Sequence, residues 1–265
     1  MANTTPFAVI TGASRGIGAK YARALAAQGY DLLLVARDPT RLEEIGQELR
    51  NKYSVQVWTE SLDLAKPQAT ATLHQIATTY HPHVSLLINN AGFGLYGSFS
   101  DMPLTTIQDM LGVHIQAIVE SARLFLPDML TRRHGAIITV ASVAGFFPIP
   151  YMAEYAATKA FLISFFEALA IESQDQGVKI QVCCPGYTAT DFHQSAGHKP
   201  KHVFFAQSAQ QVVQTSLQAL QSKRTLVTIG WQGRLALWIS KLVPHTIMTA
   251  MAEKFVKPPS ATNLR

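Results

Sequence analysis

Cysteine is scarce: this chain of 265 residues has two, Cys183 and Cys184. Adjacent residues cannot close an ordinary disulfide with each other, so no oxidised framework is implied and a cytoplasmic setting is expected. Charged residues make up only 15% of the chain against 48% apolar ones, which excludes a disordered polyelectrolyte. Long hydrophobic runs are also missing. The charge-free stretch 135–153 contains Gly135, Gly145, Pro148 and Pro150, and reads as a buried strand followed by a loop, not a spanning helix. The opening residues MANTTPFAVITG have no basic region ahead of their apolar run, so no signal peptide is expected. Acidic residues almost vanish from the last quarter. Residues 1–192 carry 13 Lys/Arg against 16 Asp/Glu, whereas 193–265 carry 9 against Glu253 alone, so the net charge of +5 belongs to the C-terminal segment. No recognised nucleic-acid motif accompanies it, and a nucleic-acid role is not expected.

What the chain has is a regular alternation. Short runs rich in Val, Ile and Leu recur at 7–11, 31–36, 55–60, 84–89, 135–141, 179–184 and 225–229, with helix-like spacing between them. Runs that are apolar without alternation belong to strands covered on both faces, which predicts an α/β fold. The expectation is one doubly wound domain, a seven-stranded parallel sheet flanked by helices on both faces. No linker or internal repeat divides it. Ligands of such sheets bind beyond the carboxyl ends of the strands, so those ends are searched for chemistry.

After the first strand stands Thr11-Gly12-Ala13-Ser14-Arg15-Gly16-Ile17-Gly18, leading into a helix over 19–28. Gly12, Gly16 and Gly18 allow a tight turn, while the N–H groups of Ser14, Arg15 and Ile17 and the helix terminus suit a diphosphate. A plain strand-to-helix turn would look similar. Its position at the first βα junction favours a dinucleotide. At the second strand end, Arg37 and Arg15 suit the 2′-phosphate of NADP(H) by forked hydrogen bonding, and Asp38-Pro39 reads as a helix cap instead of a ribose ligand. Asp63 would hold the adenine amino group or cap a loop. Asn90, Ala91 and Gly92 offer small residues and amides beside the cofactor.

The fifth strand leads to Ser142. Tyr155 follows, with Lys159 four residues later on the same helical face. Hydride transfer to a carbonyl builds negative charge on oxygen, which needs a proton donor. A tyrosine can donate, and a neighbouring ammonium is expected to lower its pKa from about 10. Ser142 would hydrogen-bond the substrate oxygen; a surface Tyr–Lys pair with an incidental serine would read the same.

Together, Thr11-x3-Arg15-Gly16-x-Gly18, Asn89-Asn90-Ala91-Gly92, Ser142, Tyr155-x3-Lys159 and Pro185-Gly186-x3-Thr190 resemble the short-chain dehydrogenase/reductase family in its NADP-preferring division, over about residues 5–230. The resemblance implies a Rossmann sheet in the order 3-2-1-4-5-6-7, with Tyr155 as general acid/base. It also implies that Lys159 holds the nicotinamide ribose, that Asn90 lies near the adenosine ribose, and that Pro185, Gly186, Thr188 and Thr190 hold the carboxamide. A homodimer or homotetramer is expected through the helical segments 105–130 and 154–176.

One position departs from the family pattern. His114 aligns where many members carry a catalytic asparagine. Either its imidazole titrates near neutrality within the proton relay, or a main-chain carbonyl at this helix bend serves the relay and His114 is buried and neutral. The segment 190–208 corresponds to the family's substrate lid and is aromatic and basic. His193, His198 and His202 lack the usual companions of a zinc site and read as a solvated loop. Residues 231–265 form a basic amphipathic extension: Trp231, Leu235, Trp238, Ile239 and Leu242 recur at helical spacing, followed by a second stretch over 247–256. Such stripes mostly pack on their own domain or a second subunit; the sharper alternative is peripheral membrane contact. The layout is loosely similar to the 3-oxoacyl-CoA reductase and 17β-hydroxysteroid dehydrogenase subgroup. The expected activity is NADP(H)-linked interconversion of a small-molecule carbonyl and alcohol on an apolar substrate. The alternative is an NADP-binding scaffold without turnover.

Overall fold

The computed structural model describes residues 5–189, 206–222 and 224–256. Seven parallel strands form one sheet in the order β3-β2-β1-β4-β5-β6-β7. They are β1 (Phe7–Thr11), β2 (Asp31–Ala36), β3 (Val57–Ser61), β4 (Leu86–Asn89), β5 (Gly135–Val140), β6 (Val178–Cys184) and β7 (Leu226–Thr228). The helices between them are α1 (Gly16–Ala26), α2 (Pro39–Lys52), α3 (Ala69–Tyr80), α4 (Leu104–Leu111), α5 (Ala117–Arg132), α6 (Ala153–Glu172) and α7 (Ala209–Leu220). Two more, α8 (Gly230–Leu242) and α9 (His245–Val256), follow β7.

The non-alternating strands have the two-sided burial that their composition requires. In β1, every residue is buried. Because successive side chains point to opposite faces, Phe7 and Val9 join Leu33, Leu87 and Ile137 in one core. Ala8 and Ile10 join Leu32, Leu34 and Ile88 in the other. Leu73, Phe125, Leu162 and Phe166 of α3, α5 and α6 cover the first face. Tyr21, Leu25, Leu42, Leu49 and Val212 of α1, α2 and α7 cover the second. The register sets Ile10 beside both Leu34 and Ile88.

The second face also holds a buried polar network. Tyr21 donates its hydroxyl to Ser216 Oγ at 2.6 Å, Ser216 Oγ donates to Gln181 Oε1 at 2.5 Å, and Gln181 Nε2 donates to the Ser216 carbonyl at 3.0 Å. Mutual satisfaction removes the cost of burying these groups and ties α1, α7 and β6 in one arrangement.

Several boundaries differ from expectation. α1 begins at Gly16 and ends at Ala26, ahead of the Gln28-Gly29 turn. β3, an edge strand, begins two residues later than predicted, because Gln56 gives its N–H to Asp31 Oδ1. The segment 105–130 is not one helix: between α4 and α5 a wider π-helical turn spans Gly112–Gln116, where the Ala117 N–H reaches the Gly112 carbonyl. Thr190, His193, His198, His202 and nearly all of the lid segment lie outside the described residues. Among the described residues, no helix is long and apolar enough to cross a membrane, and no cluster of His, Cys, Asp and Glu could hold a metal ion.

Candidate active site

The carboxyl ends of β1, β2, β4, β5 and β6 open onto a cavity of about 520 Å³. The predicted glycine turn forms one wall. Thr11 Oγ1 donates to the Ile88 carbonyl and accepts from the N–H groups of Asn90 and Ala91, each near 3 Å, which knots the ends of β1 and β4 together. Asn90 completes the knot: its Nδ2 donates to the carbonyls of Thr11 at 2.9 Å and Gly12 at 3.1 Å. The side chain expected beside the ribose braces the turn and also lines the cavity.

Gly12 takes a left-handed conformation, φ +66°, and Gly18 admits no side chain at all, since a Cβ there would lie 2.2 Å from the Gly12 carbonyl oxygen. Arg15 precedes α1 in an extended conformation without a side-chain cap. The first-turn N–H groups therefore face a concave wall lined by Gly12, Ser14, Arg15, Gly16 and Ile17, the arrangement a diphosphate requires. Gly18 lies beneath this wall, not on it.

Arg37 and Asp63 also line the cavity, together with Arg41, which the sequence did not single out. Asp38 accepts the Arg41 N–H at 3.1 Å as the cap of α2, with Pro39 in the first turn. Its carboxylate performs the capping role while still lining the cavity, and its other oxygen lies 3.6 Å from Arg41 Nε, so this end brings together Arg15, Arg37 and an Arg41 paired with Asp38. Asp63 accepts the Ala65 N–H at 3.1 Å, so its loop-capping role is realised while it also faces the cavity.

At the other end stand Ser142, Tyr155 and Lys159, with Ala91, Gly92, Pro185, Gly186 and Thr188 around them. Ser142 Oγ accepts the Ala144 N–H at 3.1 Å, fixing the short turn Val143–Phe146. That turn lies on the backbone of α6: a Cβ at Gly145 would fall 2.7 Å from the Lys159 carbonyl carbon. Close contact thereby sets the serine against the helix that carries Tyr155 and Lys159.

The electrostatics correct one expectation. Tyr155 is not brought below its ordinary value; burial pushes it up to about 12, against the lowering effect of a hydrogen bond with Ser142. Lys159 is itself brought down to about 8 by burial. Lys159 Nζ donates to the Val140 carbonyl at 3.0 Å and sits 5.6 Å from the centre of the Tyr155 ring, over its face.

His114 is fully buried in the π-helical turn and does not line the cavity. Its Nε2 accepts the Phe93 N–H at 3.0 Å. This places the proton on Nδ1, which donates to Thr158 Oγ1 at 3.0 Å, and Thr158 donates to the Tyr155 carbonyl at 2.8 Å. Burial, then the nearby Lys159 charge, hold the imidazole well below its ordinary pKa. An imidazole titrating near neutrality is therefore not what the fold creates. Instead, His114 bridges the loop after β4 to α6 as a neutral group, and a Cβ at Gly92 would meet its Nε2 at 2.9 Å.

Around the catalytic end, Phe93, Ile149, Met152 and Tyr187 supply apolar and aromatic lining. Ile149 and Tyr187 stand next to motifs visible in sequence, but nothing in their spacing marks them as lining; Phe93 and Met152 are brought in by loop conformation.

A parallel sheet in this order, a glycine turn at its first crossover and a Ser–Tyr–Lys set at the same strand ends define a nucleotide-binding Rossmann protein. The chain belongs to the short-chain dehydrogenase family, whose model matches residues 6–201. It is 36% identical over 179 residues to a very-long-chain 3-oxoacyl-CoA reductase of Phaeosphaeria nodorum, an alignment covering 66% of this chain and 52% of that protein. It is 29% identical to dehydrogenase/reductase SDR family member 7B of Rattus norvegicus, covering 96% of this chain and 83% of the relative. Among solved structures, a short-chain dehydrogenase from Sphingobium yanoikuyae in complex with NADPH superposes with a TM-score of 0.81 at 28% identity, covering 98% of this chain and 100% of that one. The chain spans about half the length of the two 3-oxoacyl-CoA reductases that it matches at 35% and 36% identity.

Proposed function

We propose that the chain is an NADP(H)-dependent oxidoreductase interconverting a carbonyl and a secondary alcohol on an apolar substrate. The observation that carries this reading is the convergence of Ser142, Tyr155 and Lys159 on the same cavity as the glycine turn. The glycine turn, Arg15, Arg37 and Lys159 would hold a nicotinamide dinucleotide, which would supply or take up the hydride. In the reducing direction negative charge builds on the substrate oxygen, and Tyr155 gives that oxygen its proton. A phenol lifted to about 12 is fully protonated at neutral pH, so the donor form is present. Ser142 hydrogen-bonds the same oxygen, and the ammonium of Lys159, charged below about 8, stabilises the phenolate left behind.

Support for NADP(H) over NAD(H) is Arg15 and Arg37 at the adenosine end, with Asp38 capping α2 and paired with Arg41. Support for an apolar substrate is the lining by Phe93, Ile149, Met152 and Tyr187, together with the very-long-chain 3-oxoacyl-CoA reductases among the relatives. Two buried free cysteines accord with a cytoplasmic setting. Exposed Leu111 and Phe161 on the outer faces of α4 and α6 accord with a homo-oligomer. The segment 190–208 is assigned to the substrate lid, and 231–265 to an extension beyond the catalytic domain.

The test is oxidation of NADPH and NADH over a panel of ketones, aldehydes and 3-oxoacyl thioesters, by the parent and by Arg37→Ala. The parent is expected to turn over apolar ketones or thioesters with preference for NADPH. Arg37→Ala should cut that preference roughly tenfold or more, as loss of a charge-assisted hydrogen bond does. Bound NADPH with no turnover on any substrate would support the scaffold reading instead.

A further inference from the structure

The C-terminal helices present a face that the catalytic reading does not use. In α8, Trp231, Leu235, Trp238 and Leu242 fall within one narrow stripe at helical spacing, and they are 61%, 48%, 66% and 74% exposed. Gly233, on the opposite side, is buried against Thr228 of β7. Arg234 and Lys241 flank one edge of the stripe, and both are exposed. In α9 the pattern repeats with exposed Ile247, Met251 and Lys254. A helix that packed this stripe on its own domain would bury it; here the small side of α8 is buried and the large apolar side faces outward.

We propose that α8 and α9 form a docking surface for an anionic lipid bilayer. Charge selects this occupant. α8 and α9 carry Arg234, Lys241 and Lys254 against Glu253 alone, so this face attracts an anionic headgroup layer and offers the same face of a second copy a single acid to pair with. The side-chain chemistry agrees: tryptophans prefer the boundary between headgroups and acyl chains, while Arg and Lys beside them reach outward to phosphates.

Position gives the surface a use. α8 packs against the turn Val143–Phe146, which follows Ser142. The carbonyl of Val256, at the end of α9, accepts the hydroxyl of Tyr96 in the loop after β4 that also carries Phe93. Both anchoring points are next to residues that line the catalytic end of the cavity. Docking would hold that end close to the lipid, where an apolar substrate resides. This use rests on the apolar-substrate reading; the docking surface does not.

The test is co-sedimentation of the full chain, loaded with NADPH, with phosphatidylcholine/phosphatidylglycerol vesicles and with pure phosphatidylcholine vesicles. The chain should pellet with the anionic vesicles and be released by salt. Each of Arg234→Gln and Lys241→Gln should weaken partition about fivefold. Trp231→Gln with Trp238→Gln should abolish pelleting while NADPH binding is retained. Independently of any variant, lipids brominated on their acyl chains should quench the tryptophan fluorescence of the parent. Failure of the parent to pellet with anionic vesicles, absence of quenching, or equal pelleting with neutral lipid would overturn the proposal. So would a parent that is dimeric without lipid and becomes monomeric on substitution of the two tryptophans. None of these readouts depends on turnover, so failure here is distinguishable from failure of the enzymatic reading.

Discussion

Three buried residues, Tyr155, Lys159 and His114, sit close together, and burial sets the charge state of each. Tyr155 is held protonated, Lys159 is poised near 8, and His114 is kept neutral by burial and the ammonium nearby. The signs fix a pH profile. Reduction should hold steady through the range around neutrality and fall above about pH 8, as Lys159 loses the charge that stabilises the Tyr155 phenolate. No limb should be traceable to His114, whose depressed pKa leaves it uncharged throughout. A His114→Asn variant should therefore give a pH–rate curve of the same shape as the parent's, even if the loss of the bridge from Phe93 to Thr158 lowers its height. A parent limb near the ordinary histidine pKa that disappears in His114→Asn would instead make the imidazole part of the relay. Sequence reasoning placed Ser142, Tyr155 and Lys159 on one surface, because strand ends and i, i+4 spacing are local facts. It misjudged the direction of the tyrosine shift because burial depth is set by tertiary packing, not by spacing.

Among the elements, the central strands were legible because they are covered on both faces and read as apolar runs, while the partly buried edge strand β3 was legible with a shifted start. The interruption between α4 and α5 was not, since a π-helical turn leaves no mark on hydrophobic spacing; only the family resemblance pointed to a bend. The glycine turn was legible as a motif, but its construction was not. Asn90 braces it from β4 by two donated hydrogen bonds, and Gly18 fits because no Cβ clears the Gly12 carbonyl. Gly18→Ala should push the turn apart and weaken NADPH binding roughly tenfold to a hundredfold, the equivalent of the 1–3 kcal/mol that overpacking costs. Fluorescence titration of NADPH checks this, with circular dichroism to show that the sheet persists. Unchanged affinity would mean that the turn does not bind the cofactor.

On the scale of the whole molecule, the scarcity of acid in the last quarter separates two working parts. A mildly acidic body carries Arg15, Arg37 and Arg41 on its cavity, and a basic tail carries an exposed tryptophan stripe on a helix packed against the turn after Ser142. The sequence located the tail and its amphipathic spacing. Which side of α8 faces outward depends on how Gly233 meets β7, and that required the structure.

The central proposal is that Tyr155 delivers the proton in a cavity that binds a nicotinamide cofactor. The direct measurement is NADPH oxidation by the parent and by Tyr155→Phe on the best substrate of the panel, with cofactor binding titrated in parallel. Removing one hydroxyl should lower turnover by about 10²–10⁴-fold, the range for loss of a general acid, while NADPH still binds. A Tyr155→Phe variant that turns over at the parent's rate would contradict the account.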